Sequence, residues 1–118
     1  ALNCQRLTTA GRLVHHGSIE ETLSIGVGGY DMVVLTEILE HVEDPDALLR
    51  LARKRALKLV ASSPEMRPGQ VDDNDEHLWM FDHEGYQEML GDTGWRVIQK
   101  TKLKFPGLTY DYGIWVCG

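Results

Sequence analysis

Two short apolar runs, Tyr30 to Leu35 and Leu57 to Ser62, flank a stretch with the start signal and apolar spacing of a helix. This arrangement narrows the fold more than any other feature of the chain. Asp44 is placed to cap, Pro45 falls at the first helical position, and Leu48, Leu49, Leu51 and Ala52 supply an apolar face running to about Ala56. The flanking runs are continuous rather than alternating, as expected of strands buried on both faces, and Ser63-Pro64 should stop the second. Two buried strands joined by a helix specify a parallel pair with a right-handed crossover. Both strands then end at the same edge of the sheet, the edge at which open α/β sheets bind ligands. Glu37, Glu40 and His41 follow the first strand directly, so carboxylates and an imidazole fall at that edge.

The remaining segments extend this frame. Residues 12 to 16, Arg-Leu-Val-His-His, read as a short strand ending at Gly17-Ser18, with Glu20-Glu21 in a following turn or short helix. Gly26-Val-Gly-Gly29 reads as a turn, because it precedes its strand instead of following one. Met66 to Glu76 is polar and acidic and carries Pro68-Gly69, so it is a loop placed to cover the functional edge. Asp82 caps a helix over His83 to Leu90, with Tyr86, Met89 and Leu90 inward. Trp95 to Leu103 and Tyr110 to Val116 alternate and join through Pro106-Gly107 as an antiparallel hairpin. The fold class is therefore α/β, a partial Rossmann-like sheet of parallel strands closed by a C-terminal antiparallel hairpin, with residues 1–118 forming one domain.

Composition bounds the function. The chain has 118 residues, 42% of them hydrophobic and 25% charged, and no apolar run approaches the roughly 20 residues that span a bilayer. A net charge of -6 disfavours indiscriminate nucleic-acid binding, and Arg50, Arg53, Lys54, Arg55 and Lys58 read as the solvated face and last turn of a helix. Cys4 and Cys117 lack metal-type spacing, which fits a reducing, cytoplasmic setting. His15, His16 and His83 have no partner pattern, and Trp79, Phe81, Trp95 and Trp115 read as packing.

The segments Asp31 to Leu35, Glu37-Ile-Leu-Glu-His-Val-Glu-Asp-Pro45 and His77-Leu-Trp-Met-Phe-Asp82, in this order of elements, resemble the C-terminal half of class I S-adenosylmethionine-dependent methyltransferases. The resemblance covers about residues 12 to 118. It implies transfer of a methyl group from S-adenosylmethionine to an oxygen or nitrogen of a small-molecule or RNA acceptor. Gly17-Ser18-Ile19 matches the turn against the cofactor's adenine, although many members carry Asp where this chain has Ser18. Leu35, Thr36 and Glu37 match the strand end that faces the methionine portion of the cofactor, and His41 is the expected general base, assisted by Glu37 or Glu40.

A narrower resemblance links Glu37-x-x-Glu40-His41 and the later His77 to small-RNA 3'-terminal 2'-O-methyltransferases, in which two Glu and two His hold a divalent metal. It makes Glu37, Glu40, His41 and His77 a metal-ligand set in that alternative. The family's glycine-rich cofactor loop and its first two strands are not matched in this sequence. Their absence would leave Tyr30 to Leu35 as an exposed edge, so the chain is expected to be a fragment of a longer protein or to pair with a second copy or a completing chain. The remaining alternative is a non-catalytic methyltransferase-like interaction module.

Overall fold

A computed structural model describes residues 2–25, 29–67 and 69–118. Its elements are α1 (Leu2–Thr9), α2 (Ile19–Ser24), β1 (Tyr30–Thr36), a single 3-10 turn (Leu39–His41), α3 (Pro45–Arg55), β2 (Ala56–Glu65), α4 (His83–Asp92), β3 (Val97–Leu103) and β4 (Asp111–Cys117). The four strands form one sheet in the order β1-β2-β4-β3. β1 and β2 pair in parallel from Tyr30↔Ala56 to Thr36↔Ser62, while β4 runs antiparallel to both β2 and β3.

The helices form where their caps dictate. Asp44 Oδ1 accepts a hydrogen bond from the Ala47 amide at 2.9 Å, Pro45 opens α3, and Arg53, Lys54 and Arg55 fill its last turn. Asp82 Oδ1 accepts from the Gly85 amide at 2.7 Å to start α4. That helix runs two residues past Leu90, and Gly94 turns the chain away at φ +92°. Ser18 and Glu21 form a reciprocal capping box on α2, the Ser18 hydroxyl accepting from the Glu21 amide and the Glu21 carboxylate from the Ser18 amide.

The core lies on one face of the sheet. Leu35, Leu59, Ala61, Trp115 and Cys117 pack with Leu48, Leu49 and Ala52 of α3 and with Tyr86 and Leu90 of α4, all essentially inaccessible to water. Tyr86 stacks on Trp115 at 5.6 Å between ring centres, and the Trp95 indole N–H donates to the Leu49 carbonyl at 3.1 Å, tying the end of α4 to α3.

Four expectations are corrected. Residues 12–16 are not a strand: among the described residues no strand pairs with them, and an isolated segment has nothing to satisfy its ladder of N–H and C=O groups. Leu13 is accordingly fully exposed. β1 is buried on one face only: Val33 and Leu35 point to the core, and by strand alternation Tyr30, Met32 and Val34 point the other way, at 48%, 44% and 58% exposure. β2 does not stop at Ser63-Pro64 but continues to Glu65. Ser62 directs its carbonyl at the β1 side, where it accepts from the Glu37 amide, so by strand alternation Pro64 turns its missing N–H to that same side, beyond the last β1 pair. Finally, α1 was not anticipated. Of the glycine segment 26–29, residues 26–28 lie outside the described residues.

Candidate functional site

The parallel pair places the end of β1 beside the end of β2, and the chain turns sharply there. Glu37 has φ +55°, a left-handed conformation that a residue with a Cβ adopts at a cost of about 1–2 kcal/mol. Its amide donates to the Ser62 carbonyl at 3.0 Å and its Oε1 accepts from the Ser62 hydroxyl at 2.7 Å. The strained residue is thus pinned to β2, and the following 3-10 turn sends Glu40 inward and His41 outward.

Glu40 is 1% exposed, and neither of its carboxylate oxygens has a hydrogen-bond partner. Burial pushes its carboxyl above the usual carboxylate range. The neighbouring Glu37 adds to the rise, whereas His41, His77 and its own amide, which lies outside hydrogen-bonding geometry, oppose it. A buried, unpartnered carboxylate is costly, and sites of ligand or metal binding are where such costs persist.

The loop after β2 brings the second imidazole. The Leu78 and Trp79 amides both donate to the Glu40 carbonyl, at 2.8 and 3.3 Å, and the Trp79 indole donates to the Val42 carbonyl at 2.8 Å. These bonds dock residues 77–79 against the 3-10 turn. His41 and His77 then meet edge to face, 4.8 Å between ring centres, and Glu40, His41 and His77 each offer a donor atom within 4.8 Å of the others.

Both imidazoles are oriented from behind. His41 Nδ1 lies 2.9 Å from the Glu76 carbonyl, which can only accept, so Nδ1 carries the proton and the Nε2 lone pair turns 3.9 Å from Glu40 Oε1. His77 Nδ1 donates to Asp72 Oδ2 at 2.6 Å, and its Nε2 accepts a long 3.3 Å bond from the Asn74 side-chain Nδ2. Burial works against the Asp72 charge, but the Asn74 amide and His77 outweigh it and hold that carboxyl below its usual range.

One carboxylate and two imidazoles, each ring held through Nδ1, are a donor set that suits a borderline divalent cation. Of the four sequence-derived ligands, the structure brings together Glu40, His41 and His77. Glu37 is directed to Ser62 instead. Of the residues assigned to the cofactor, Ile19 and Leu35 line one groove of about 400 Å³. Thr36 ends β1 exposed, and Gly17 and Ser18 shape the entry to α2, where the Ser18 hydroxyl serves the capping box.

In front of Glu40 lies a cavity of about 150 Å³, whose walls include His77, Asp72, Asp73, Trp79 and Tyr110. The loop after β2 is tied to β4 by two bonds from Arg67 to Asp111 Oδ1, at 2.7 and 3.1 Å, and the Gln70 side chain donates to the Thr109 carbonyl. Sequence reading missed Asp72 and Tyr110. The spacing of Asp72, Asn74 and His77 is the one local signal for the first, since Asx side chains fold such turns back on themselves. The reading also left His83 without a partner, yet its Nδ1 donates to buried Glu65 at 2.7 Å.

No protein-family model matches the chain, and no curated protein matches it by sequence. Solved structures do match by shape. The [4+2]-cyclase SpnF superposes with a TM-score of 0.74 over 99% of this chain at 13% identity. This chain has a Rossmann-like methyltransferase fold. The 1,6-didemethyltoxoflavin-N1-methyltransferase of Burkholderia thailandensis, with its substrate and S-adenosylhomocysteine bound, gives a TM-score of 0.68 over 80% of the chain at 14% identity. The magnesium protoporphyrin IX methyltransferase of Synechocystis PCC 6803, with bound S-adenosylhomocysteine, gives 0.60 over 80% at 18% identity. The chain spans 60%, 46% and 47% of these three structures. A cyclase among them illustrates that this methyltransferase fold fixes an architecture and leaves the reaction to the site.

Proposed function

We propose that this chain is the acceptor-side half of an S-adenosylmethionine-dependent methyltransferase domain. The observation that carries the reading is Glu40, a buried carboxylate without a hydrogen-bond partner at the end of a parallel strand, facing the free Nε2 of His41. Methyl transfer from a sulfonium needs little from the protein beyond alignment and one proton acceptor. His41 Nε2 is that acceptor, and Glu40, 3.9 Å away, stabilises the imidazolium that forms. The strained turn at Glu37 fixes Leu35, Thr36 and Glu37 against the methionine end of the cofactor, and Gly17, Ser18 and Ile19 border its adenine. The acceptor is an oxygen or nitrogen of a small molecule or an RNA.

Calorimetric titration with S-adenosylmethionine tests this. Saturable heat supports the reading, and the absence of binding favours a non-catalytic interaction module.

A second reading is favoured by the two Nδ1 hydrogen bonds that orient the rings beside Glu40, leaving Nε2 of His41 free and Nε2 of His77 held only by the long Asn74 contact. Here Glu40, His41 and His77 hold a divalent metal, as in a metal-dependent small-RNA 3'-terminal 2'-O-methyltransferase. The metal would supply a lowered pKa to a bound acceptor hydroxyl. Titration of manganese or cobalt into the wild type and a Glu40→Ala, His77→Ala double variant decides it, because equal weak binding by both removes the metal.

A further inference from the structure

The cavity in front of Glu40 has a chemistry narrower than either acceptor class above. Its volume of about 150 Å³ is that of a cavity able to hold one benzene-sized group, so it admits the end of a small molecule. Three carboxylates, Glu40, Asp72 and Asp73, contribute to its walls, and among the described residues no lysine or arginine does. Asp72 is already paired with His77. Glu40 is not: both of its oxygens are buried and without a hydrogen-bond donor. Trp79 and Tyr110 add aromatic surface, to which a cation is attracted and an anion is not.

We propose that this cavity binds a small organic amine, entering as the ammonium, whose N–H groups donate to the free oxygens of Glu40 while its carbon skeleton lies against Trp79 and Tyr110. The inference rests on the first reading above and names the acceptor of that site as nitrogen. Transfer requires the ammonium to lose one proton, which passes by way of Glu40 to His41 Nε2, 3.9 Å away, the base of that reading. The nitrogen lone pair then forms the new N–C bond as the S–C bond of the methyl donor breaks, leaving a neutral thioether. Phosphate- or carboxylate-bearing acceptors are disfavoured, because they would meet uncompensated negative charge.

Three probes of matched size and different charge test the proposal on the chain as it stands: phenethylamine, 2-phenylethanol and phenylacetate, titrated by protein-observed NMR. Phenethylamine is expected to bind about tenfold more tightly than the alcohol, the scale of one charge-assisted hydrogen bond, and phenylacetate not measurably. Glu40→Gln should abolish the preference. Asp73→Asn, at an exposed position, should reduce it about threefold by removing a more distant charge. Equal binding of the three probes, or a preference for phenylacetate, overturns the proposal, as does manganese binding that excludes phenethylamine. Perturbation of Leu35 to Glu37 by S-adenosylhomocysteine alongside equal probe binding would remove the amine and leave the methyl-transfer reading intact.

Discussion

His41 Nε2 stands 3.9 Å from Glu40 Oε1, and the same ring is fixed from behind by a 2.9 Å bond from Nδ1 to the Glu76 carbonyl. The pair joins one residue that is almost fully buried to one that is exposed, so the imidazole can pass a proton to water while the carboxylate cannot. That asymmetry assigns the base and the electrostatic partner.

Glu40 should reduce stability for the sake of the site. Replacing it with Met, of similar length and without a charge, is expected to leave the fold unchanged or raise its stability by about 1–2 kcal/mol in urea unfolding. The sign with pH follows from its raised carboxyl. Between the unfolded value of 4.5 and the higher folded value the native state holds more protons, so stability falls as pH rises through that window. The gap between Glu40→Met and wild type should therefore widen with rising pH and close in acid. A variant less stable than wild type at neutral pH would contradict this.

Asp72 orients His77. Its carboxyl is held below the usual range, so its contribution is present above about pH 4 and is lost as pH falls through the folded value. Asp72→Asn should convert the single Nδ1-protonated tautomer of neutral His77 into a mixture, read from imidazole nitrogen shifts. An unchanged tautomer would show that Asp72 has no orienting role.

Glu65 holds the opening of α4 to the end of β2. It accepts from His83 at 2.7 and 2.9 Å, lies 3.8 Å from Lys102, and rests where a Cβ on Gly113 would collide with it. His83→Ala should cost about 1–3 kcal/mol and Gly113→Ala a similar amount, the first by unpairing a buried carboxylate and the second by overpacking. Thermal unfolding of both variants checks this, and two unchanged midpoints would count against the packing described.

What sequence could reveal here followed the range of the interaction. Asp44-Pro45 and Asp82 were legible because a cap acts on an amide three residues away. The cluster of Glu40 with His77 was legible only through resemblance, since no local rule joins residues that meet through Leu78 and Trp79 amides. Glu65 and His83 were illegible for the same reason. Residues 12–16 misled because β-propensity reports fitness for a pleated surface and says nothing of whether a partner strand exists. Pro64 misled because a strand tolerates proline on the side where its ladder has ended.

The outer side of β1 has no strand partner among the described residues, and Tyr30, Met32 and Val34 expose apolar surface beside it. Such an edge seeks pairing. The isolated chain is expected to sediment as a dimer or larger species, and Val34→Lys to shift it toward monomer. A monomeric wild type at high protein concentration would remove self-pairing as the cover for this edge.

The central claim, that the end of β1 is one wall of a methyl-transfer site, is tested most directly by mapping S-adenosylhomocysteine onto the backbone amides by two-dimensional NMR. Saturable shifts are expected at Leu35, Thr36 and Glu37 and at Ser18 and Ile19, with Glu40 and His41 moving less. Unmoved amides at Leu35 to Glu37 under several millimolar ligand, or shifts confined to α4 and the β3–β4 hairpin, would contradict it.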